Sequence, residues 1–148
     1  MKSEVLKYIS TRGHSNKLEF KDVIFEGLAP DGGLYIPESW PKLDKSLILS
    51  FNNKNYLDIA YSVIYPFLDN SIKEDELKKI IKLSYSSFNS DEVTPLKKIN
   101  NNEYILELFH GPTLAFKDVA MQFIAQLMNY YLSKNDLNIN ILAATSGD

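Results

Sequence analysis

The sequence predicts an α/β protein, with a small N-terminal α+β domain followed by the first βαβ unit of a second domain. Three observations lead to this prediction. Apolar residues recur at intervals of three and four in several stretches, which is the spacing of amphipathic helices. Short apolar stretches between turn-forming residues indicate strands. Near the C-terminal end a strand, a helix and a second strand follow one another, which is the order of a βαβ unit.

The first third of the chain is rich in turn-forming residues. The segment GLAPDGGLYIP, Gly27–Pro37, places Asp-Gly and Gly-Gly pairs between apolar residues. Such pairs supply the positive φ angles that a tight turn needs. We therefore expect strand segments on both sides of this turn, near Asp22–Phe25 and Leu34–Ile36.

Two helices are expected in the middle of the chain. The first covers Tyr56–Leu68, and Pro66 inside it should kink or shorten the helix. The second begins at Ser71, because Ser71 and Glu74 have the spacing of a capping box. The apolar face of the second helix is expected to comprise Ile72, Leu77, Ile80, Ile81 and Tyr85.

A polar segment, Asn89–Leu96, is interpreted as a linker because it is rich in turn-forming residues and contains a proline. It divides the chain into an N-terminal domain, residues 1–90, and the start of a second domain, residues 91–148. The sequence pattern changes at this segment: turn-forming residues are frequent in the first part of the chain, and the pattern of a βαβ unit follows the segment.

The second domain is expected to contain a strand at Tyr104–Leu108, a helix from about Lys117 to Ser133, and a buried strand at Ile139–Ala143. The two strands and the helix between them would form the βαβ unit. The apolar face of the helix is expected to comprise Ala120, Phe123, Ile124, Leu127, Met128 and Tyr131.

Composition argues against several classes of function. The chain has 148 residues, a formal net charge of −3 and no cysteine. No basic cluster dominates, so we predict no nucleic-acid partner. Without cysteine there is no disulfide, no thiolate metal site and no cysteine nucleophile, and we predict no bound metal. No apolar run approaches the roughly 20 residues that span a bilayer, so we expect a cytoplasmic protein without a membrane partner.

Lys117 is the strongest candidate for a chemical role. It lies in an apolar segment, LELFHGPTLAFKDVAMQF, at the point where a helix is expected to begin. Unpaired N–H groups and the positive end of the helix dipole disfavour a cation at that position. A neutral amine is a nucleophile or a base, as a Schiff-base lysine requires. The alternative is a solvated surface lysine, and the residues alone leave both readings open.

Other polar residues have a structural and a functional interpretation. Asp118 in the first helical turn complements the dipole, and this explanation suffices for it. His110 could orient a ligand or bond to nearby backbone. Arg12, the only arginine, could clamp a phosphate or carboxylate, or pair with an acid of its own domain. Thr145 and Ser146 follow the last predicted strand, where an anion site and a plain turn are both consistent with the sequence.

The segment LFHGPTLAFKD closely resembles the cofactor-lysine motif of threonine synthases, which are fold type II enzymes dependent on pyridoxal phosphate. Four further segments resemble the corresponding family segments and occur in the same order: YISTRG, GLAPDGGLYIPESWP, TPL and AATSGD. The resemblance therefore covers essentially the whole chain. It identifies the second domain as the start of a fold type II catalytic domain.

The resemblance implies conversion of O-phospho-L-homoserine and water to L-threonine and phosphate. Lys117 would bind pyridoxal 5'-phosphate through its amine and then shuttle protons at the substrate's Cα and Cβ. Phe116 would lie beside the cofactor ring. Thr145, Ser146 and Asp148 match a loop that cradles the substrate carboxylate or lies beside the ring in similar enzymes.

The resemblance ends inside a family motif, because the sequence stops at Asp148 where the family continues. We therefore expect an N-terminal fragment that is inactive alone and that self-associates through apolar surface left uncovered. Two alternatives remain. One is another fold type II enzyme, a dehydratase or a sulfhydrylase, and the other is a non-catalytic remnant.

Overall fold

The structure is a computed structural model that describes residues 5–13, 16–68, 71–142 and 144. The chain forms two compact units, Met1–Lys78 and Lys79–Asp148. Compactness alone does not define a domain, so the boundary at residues 90 and 91 stays a prediction. No helix among the described residues combines the length and the apolar character that crossing a membrane requires.

The first unit contains a two-stranded antiparallel sheet. Strand β1, Tyr8–Ser10, pairs with β2, Tyr35–Pro37, so that Ile9 lies opposite Ile36. The strand expected near Leu34–Ile36 is therefore confirmed, with its bounds shifted by one residue.

The strand expected at Asp22–Phe25 was wrong, because helix α1 covers Phe20–Glu26. Its half-buried residues are Phe20, Val23 and Ile24, and these positions recur at the three- and four-residue spacing of a helix. The helical periodicity of this segment outweighs the strand preference of its two β-branched residues, Val23 and Ile24. Gly27, with φ of 67°, ends the helix in a positive-φ conformation that glycine adopts more readily than residues with a Cβ.

Two short helical segments precede the longer helices of the chain. Helix α2 covers Lys45–Ser50 and runs into a 3₁₀ turn, Phe51–Asn53. Helix α3 covers Tyr56–Leu68, the bounds expected from the sequence. Pro66 lies in its last turn, where the helix continues for only two more residues.

Helix α4 covers Glu74–Tyr85, and its first turn is acidic, as expected. The capping box was wrong. The carbonyl of Lys73 accepts the first helical N–H, from Leu77, so Ser71 lies before the capping position. The expected apolar face is confirmed, since all five of its residues are at least 90% buried: Ile72, Leu77, Ile80, Ile81 and Tyr85.

The second unit begins with a β-hairpin. Strand β3, Leu96–Lys98, pairs antiparallel with β4, Tyr104–Leu106, and β4 confirms the expected strand. The sequence did not reveal β3, because two lysines interrupt the apolar pattern that marks a strand.

Helix α5 covers Asp118–Asn135, close to the expected helix. Its expected apolar face is confirmed only in part. Leu127 and Tyr131 are buried, but Ala120 and Ile124 are exposed. These two positions have the expected helical periodicity, but the helix does not bury them.

The strand expected at Ile139–Ala143 was wrong for the part that the structure describes. Residues 139–142 have no regular secondary structure, and Ile141 and Leu142 are 76% and 101% exposed. A buried parallel strand needs hydrogen-bonded neighbours and a cover on both faces, and the described residues supply neither. Apolar composition alone therefore did not produce a strand here.

Candidate active site

The loop between β4 and α5, residues 107–117, carries the strongest candidate residue. Backbone hydrogen bonds hold the first part of this loop. The N–H of Glu107 donates to the Pro95 carbonyl at 2.9 Å, and the N–H of Asn89 donates to the His110 carbonyl at 2.9 Å. Within the loop, Leu114 adopts a left-handed φ of 63°, which closes a tight turn. The loop is therefore a fixed structure rather than an unconstrained connection.

Lys117 lies at the cap position immediately before α5. Its backbone is already helical, and its carbonyl accepts the N–H of Met121 at 2.8 Å. Its side chain is exposed, and the neighbouring Phe116 ring is 63% exposed. The amine is thus accessible to a small molecule while its backbone is held by the helix start.

Asp118 is the buried polar group of this region, with only 3% of its surface exposed. Its Oδ2 accepts the backbone N–H of Thr113 at 2.8 Å and the Thr113 hydroxyl at 2.9 Å, while Oδ1 accepts the Gln122 amide at 3.3 Å. Burial raises the pKa of the Asp118 carboxyl, but these hydrogen bonds outweigh burial and hold the pKa below its ordinary value. By accepting hydrogen bonds from Thr113 of the loop and from Gln122 of the helix, the Asp118 side chain joins the loop to the helix.

Gly111 is required by its close approach to Asp118. A Cβ at position 111 would lie 2.4 Å from the Asp118 Cβ and 2.5 Å from its Oδ2. Any side chain larger than hydrogen would therefore displace the carboxylate or the loop. The glycine of the HGPT segment therefore allows the loop backbone to contact the Asp118 side chain closely.

His110 is paired within the same loop. Its Nε2 lies 2.7 Å from Oε2 of Glu107, and both side chains are about 20% exposed. Its ring stacks on Phe109, with the ring centroids 4.8 Å apart. These contacts fix the imidazole through two side chains, whereas the sequence suggested nearby backbone as one possible partner.

Arg12 belongs to a separate cluster in the first unit. Its Nη1 donates to the Asp31 carbonyl at 3.0 Å and lies over the Gly32 turn. The Asp31 carboxylate in turn accepts the Ser10 hydroxyl at 2.7 Å. The guanidinium thus meets the backbone of an acid of its own unit, which explains Arg12 in structural terms.

Three predicted site residues, Thr145, Ser146 and Asp148, lie outside the described residues, so their role stays a prediction. The role of Asp118 was missed, because the helix dipole offered a sufficient explanation. A signal existed in the sequence. A threonine five residues before an acid at a helix start can cap or tie that acid, and Thr113 does so.

The arrangement suits covalent chemistry of an amine. An accessible lysine amine, held on a constrained loop beside an exposed aromatic ring, can attack a carbonyl carbon of a planar ligand. The described residues contain no group of three or more His, Cys, Asp and Glu side chains that could hold a metal ion.

Known proteins similar to this chain belong to one family. The family description "Threonine synthase N terminus" matches residues 7–85. Threonine synthase of Pseudomonas aeruginosa is 46% identical over 143 residues, which cover 97% of this chain and 30% of the relative. Threonine synthase of Saccharomyces cerevisiae is 42% identical over 156 residues, covering 95% and 30%. The chain thus spans about 30% of the length of the curated relatives it matches.

Solved structures give the same result. PLP-bound threonine synthase from Brucella melitensis has a TM-score of 0.85 at 43% identity, covering 88% of this chain and 28% of that chain. Threonine synthase from yeast has a TM-score of 0.83 at 40% identity, covering 92% and 28%. The expected fold class is thereby confirmed for the part of the fold that this chain represents.

Proposed function

This chain belongs to the threonine synthase family, and we propose that it supplies the N-terminal part and the reactive lysine of an enzyme that converts O-phospho-L-homoserine and water to L-threonine and phosphate. The observation that carries the proposal is the loop of residues 107–117. It presents an accessible amine at Lys117 on a backbone fixed by the start of α5. The names of the similar proteins support the reaction, and the loop supports the role of the lysine.

Pyridoxal 5'-phosphate is the proposed cofactor. A similar solved structure is described as PLP-bound, and the exposed Lys117 amine fits covalent attachment to an aldehyde. When bound, this cofactor supplies an electron sink that stabilises negative charge on the substrate carbon. The exposed Phe116 ring would lie beside the cofactor ring. Thr145, Ser146 and Asp148, the residues predicted to bind the substrate carboxylate or lie beside the ring, would complete the residues of the site that this chain supplies.

Lys117 has two proposed tasks. Its amine would hold the cofactor, and the same amine, when not attached to it, would accept and return protons at Cα and Cβ of the substrate. Both tasks need the Lys117 nitrogen in one fixed position, because proton transfer requires it to lie within hydrogen-bond distance of the reacting substrate atoms. The fixed backbone at the start of α5 meets that need.

The proposed substrate class follows from the family. Phosphohomoserine is a small amino acid that carries a phosphate leaving group, and phosphate and threonine would be released in equal amounts. A dehydratase or a sulfhydrylase of the same fold would release no phosphate from it. Measuring both products with the complete enzyme therefore separates the proposal from these alternatives.

Replacement of the reactive lysine tests the proposal. In the complete enzyme, Lys117→Ala should lower threonine formation by far more than about tenfold, because one side chain serves several steps. It should also abolish the visible absorbance of the bound cofactor. The matched control is Lys134→Ala, which removes the same side chain from the last turn of α5 and should change the rate little. Threonine formation by Lys117→Ala at the rate of the control would refute the assignment.

A further inference from the structure

We propose that Asp118 is a positioning residue, which fixes the loop of residues 107–117 so that the Lys117 amine is held at the cofactor. The inference rests on the proposed role of Lys117 and goes beyond it, because it assigns a task to the acid that follows the lysine. The helix dipole alone would explain an exposed acid at this position. Asp118 is not exposed.

Burial is the first argument. Within the part of the chain that the structure describes, Asp118 is the one carboxylate that is buried. A carboxylate is seldom taken out of water unless several groups bond to it. By comparison, Asp58 occupies the first turn of α3 and is exposed. Asp118 is therefore not simply an acid placed near a helix start.

The direction of its hydrogen bonds is the second argument. Oδ2 receives both donors of Thr113, the backbone N–H at 2.8 Å and the hydroxyl at 2.9 Å. Thr113 lies four residues before Lys117, so the bonds close a ring of backbone that contains the lysine. The amide of Gln122 binds the other oxygen at 3.3 Å, one turn further along α5. The carboxylate thus ties the two sides of Lys117 together.

Packing against glycine is the third argument. Position 111 has no room for a Cβ beside the Asp118 side chain, so the loop backbone and the carboxylate are in close contact there. Loss of the carboxylate would free Thr113 and loosen the contact at Gly111. A small displacement of a reacting amine is costly, since a misplacement of about 1 Å can lower a rate roughly a hundredfold.

The test compares two neutralised acids in the complete enzyme. Asp118→Asn keeps the size of the side chain but turns one of its two acceptors into a donor, which then faces a donor of either Thr113 or Gln122. Asp58→Asn makes the same change at an exposed helix start. The readout is the rate at which borohydride traps pyridoxal phosphate on Lys117, located by peptide mass mapping. We expect a loss of roughly tenfold or more for Asp118→Asn. We expect no loss for Asp58→Asn.

Two further readouts separate positioning from general damage. Asp118→Asn should lower kcat more than it raises KM for phosphohomoserine, and hydrogen exchange at the Thr113 amide should accelerate. If this variant does not fold, the same trapping measurement on Thr113→Val and Thr113→Ser tests the positioning role. The valine variant should lose trapping, and the serine variant, which keeps the hydroxyl, should recover it.

The outcomes are distinguishable. Normal trapping in Asp118→Asn, or equal trapping in the valine and serine variants, would overturn the positioning role and leave the proposed function intact. Absence of trapping on Lys117 in the unaltered enzyme would overturn the proposed function, and the positioning role with it.

Discussion

At the scale of single residues, Asp118 connects acid titration to the site. Its pKa in the folded state lies below the ordinary value near 3.8, because the hydrogen bonds from Thr113 and Gln122 outweigh burial. Its contribution to stability is therefore present above pH 3.8 and is lost as the pH falls through the lowered pKa. The Lys117 loop should loosen over the same acidic range.

Carboxyl NMR titration checks this directly. With ¹³C-labelled aspartate, the Asp118 signal should titrate below the ordinary aspartate value. Thr113→Val removes the hydroxyl bond and should move the midpoint upward, whereas Asp58→Asn should leave it unchanged. A midpoint at or above the ordinary value would show that burial outweighs the hydrogen bonds.

At this scale the sequence points to Lys117 as the proposed reactive residue, but not to the contacts that surround it. Lys117 was identifiable from its place in the HGPTLAFKD segment, because a motif is a property of the sequence alone. The Asp118–Thr113 bonds and the Gly111 contact depend on how the loop folds back on the helix. Spacing along the chain does not encode that geometry, so the positioning residue appeared only in the structure.

At the scale of elements, α4 shows which patterns are predictive. Its apolar residues recur at helical spacing, and all five expected positions are buried. Strands were wrongly predicted within residues 20–26 and at residues 139–142, for opposite reasons. Residues 20–26 form a helix although the β-branched pair Val23 and Ile24 favours a strand, and residues 139–142 are apolar but have no neighbouring strand. A strand depends on partners distant in sequence, and a helix depends on its own turns.

Two leucines of α4 provide a matched test of its packing. Leu77 is 0% exposed and Leu83 is 59% exposed. Leu77→Ala should lower the free energy of unfolding by about 2–5 kcal/mol, because it leaves a cavity in packed surroundings. Leu83→Ala should change it by less than about 0.5 kcal/mol. Urea unfolding measures both, and equal effects would contradict the assignment of the buried face.

At the scale of the whole molecule, much of the apolar surface of the second unit is exposed. Both strands of its hairpin are exposed along their length, with Tyr104, Ile105 and Leu106 each at 53%. Large contiguous apolar surfaces seldom stay bare in soluble proteins. We therefore expect the 148-residue chain by itself to self-associate and to lack the enclosed site that catalysis needs.

Lys117 is proposed to carry the cofactor, and only within an enclosed site. The most direct measurement is borohydride reduction after incubation with pyridoxal phosphate, followed by peptide mass mapping, for the complete enzyme and for the 148-residue chain. We expect one pyridoxyl group per complete enzyme chain, on Lys117. For the 148-residue chain we expect only sparse labelling spread over several lysines. Stoichiometric labelling of a different lysine in the complete enzyme, or of Lys117 in the chain alone, would contradict this proposal.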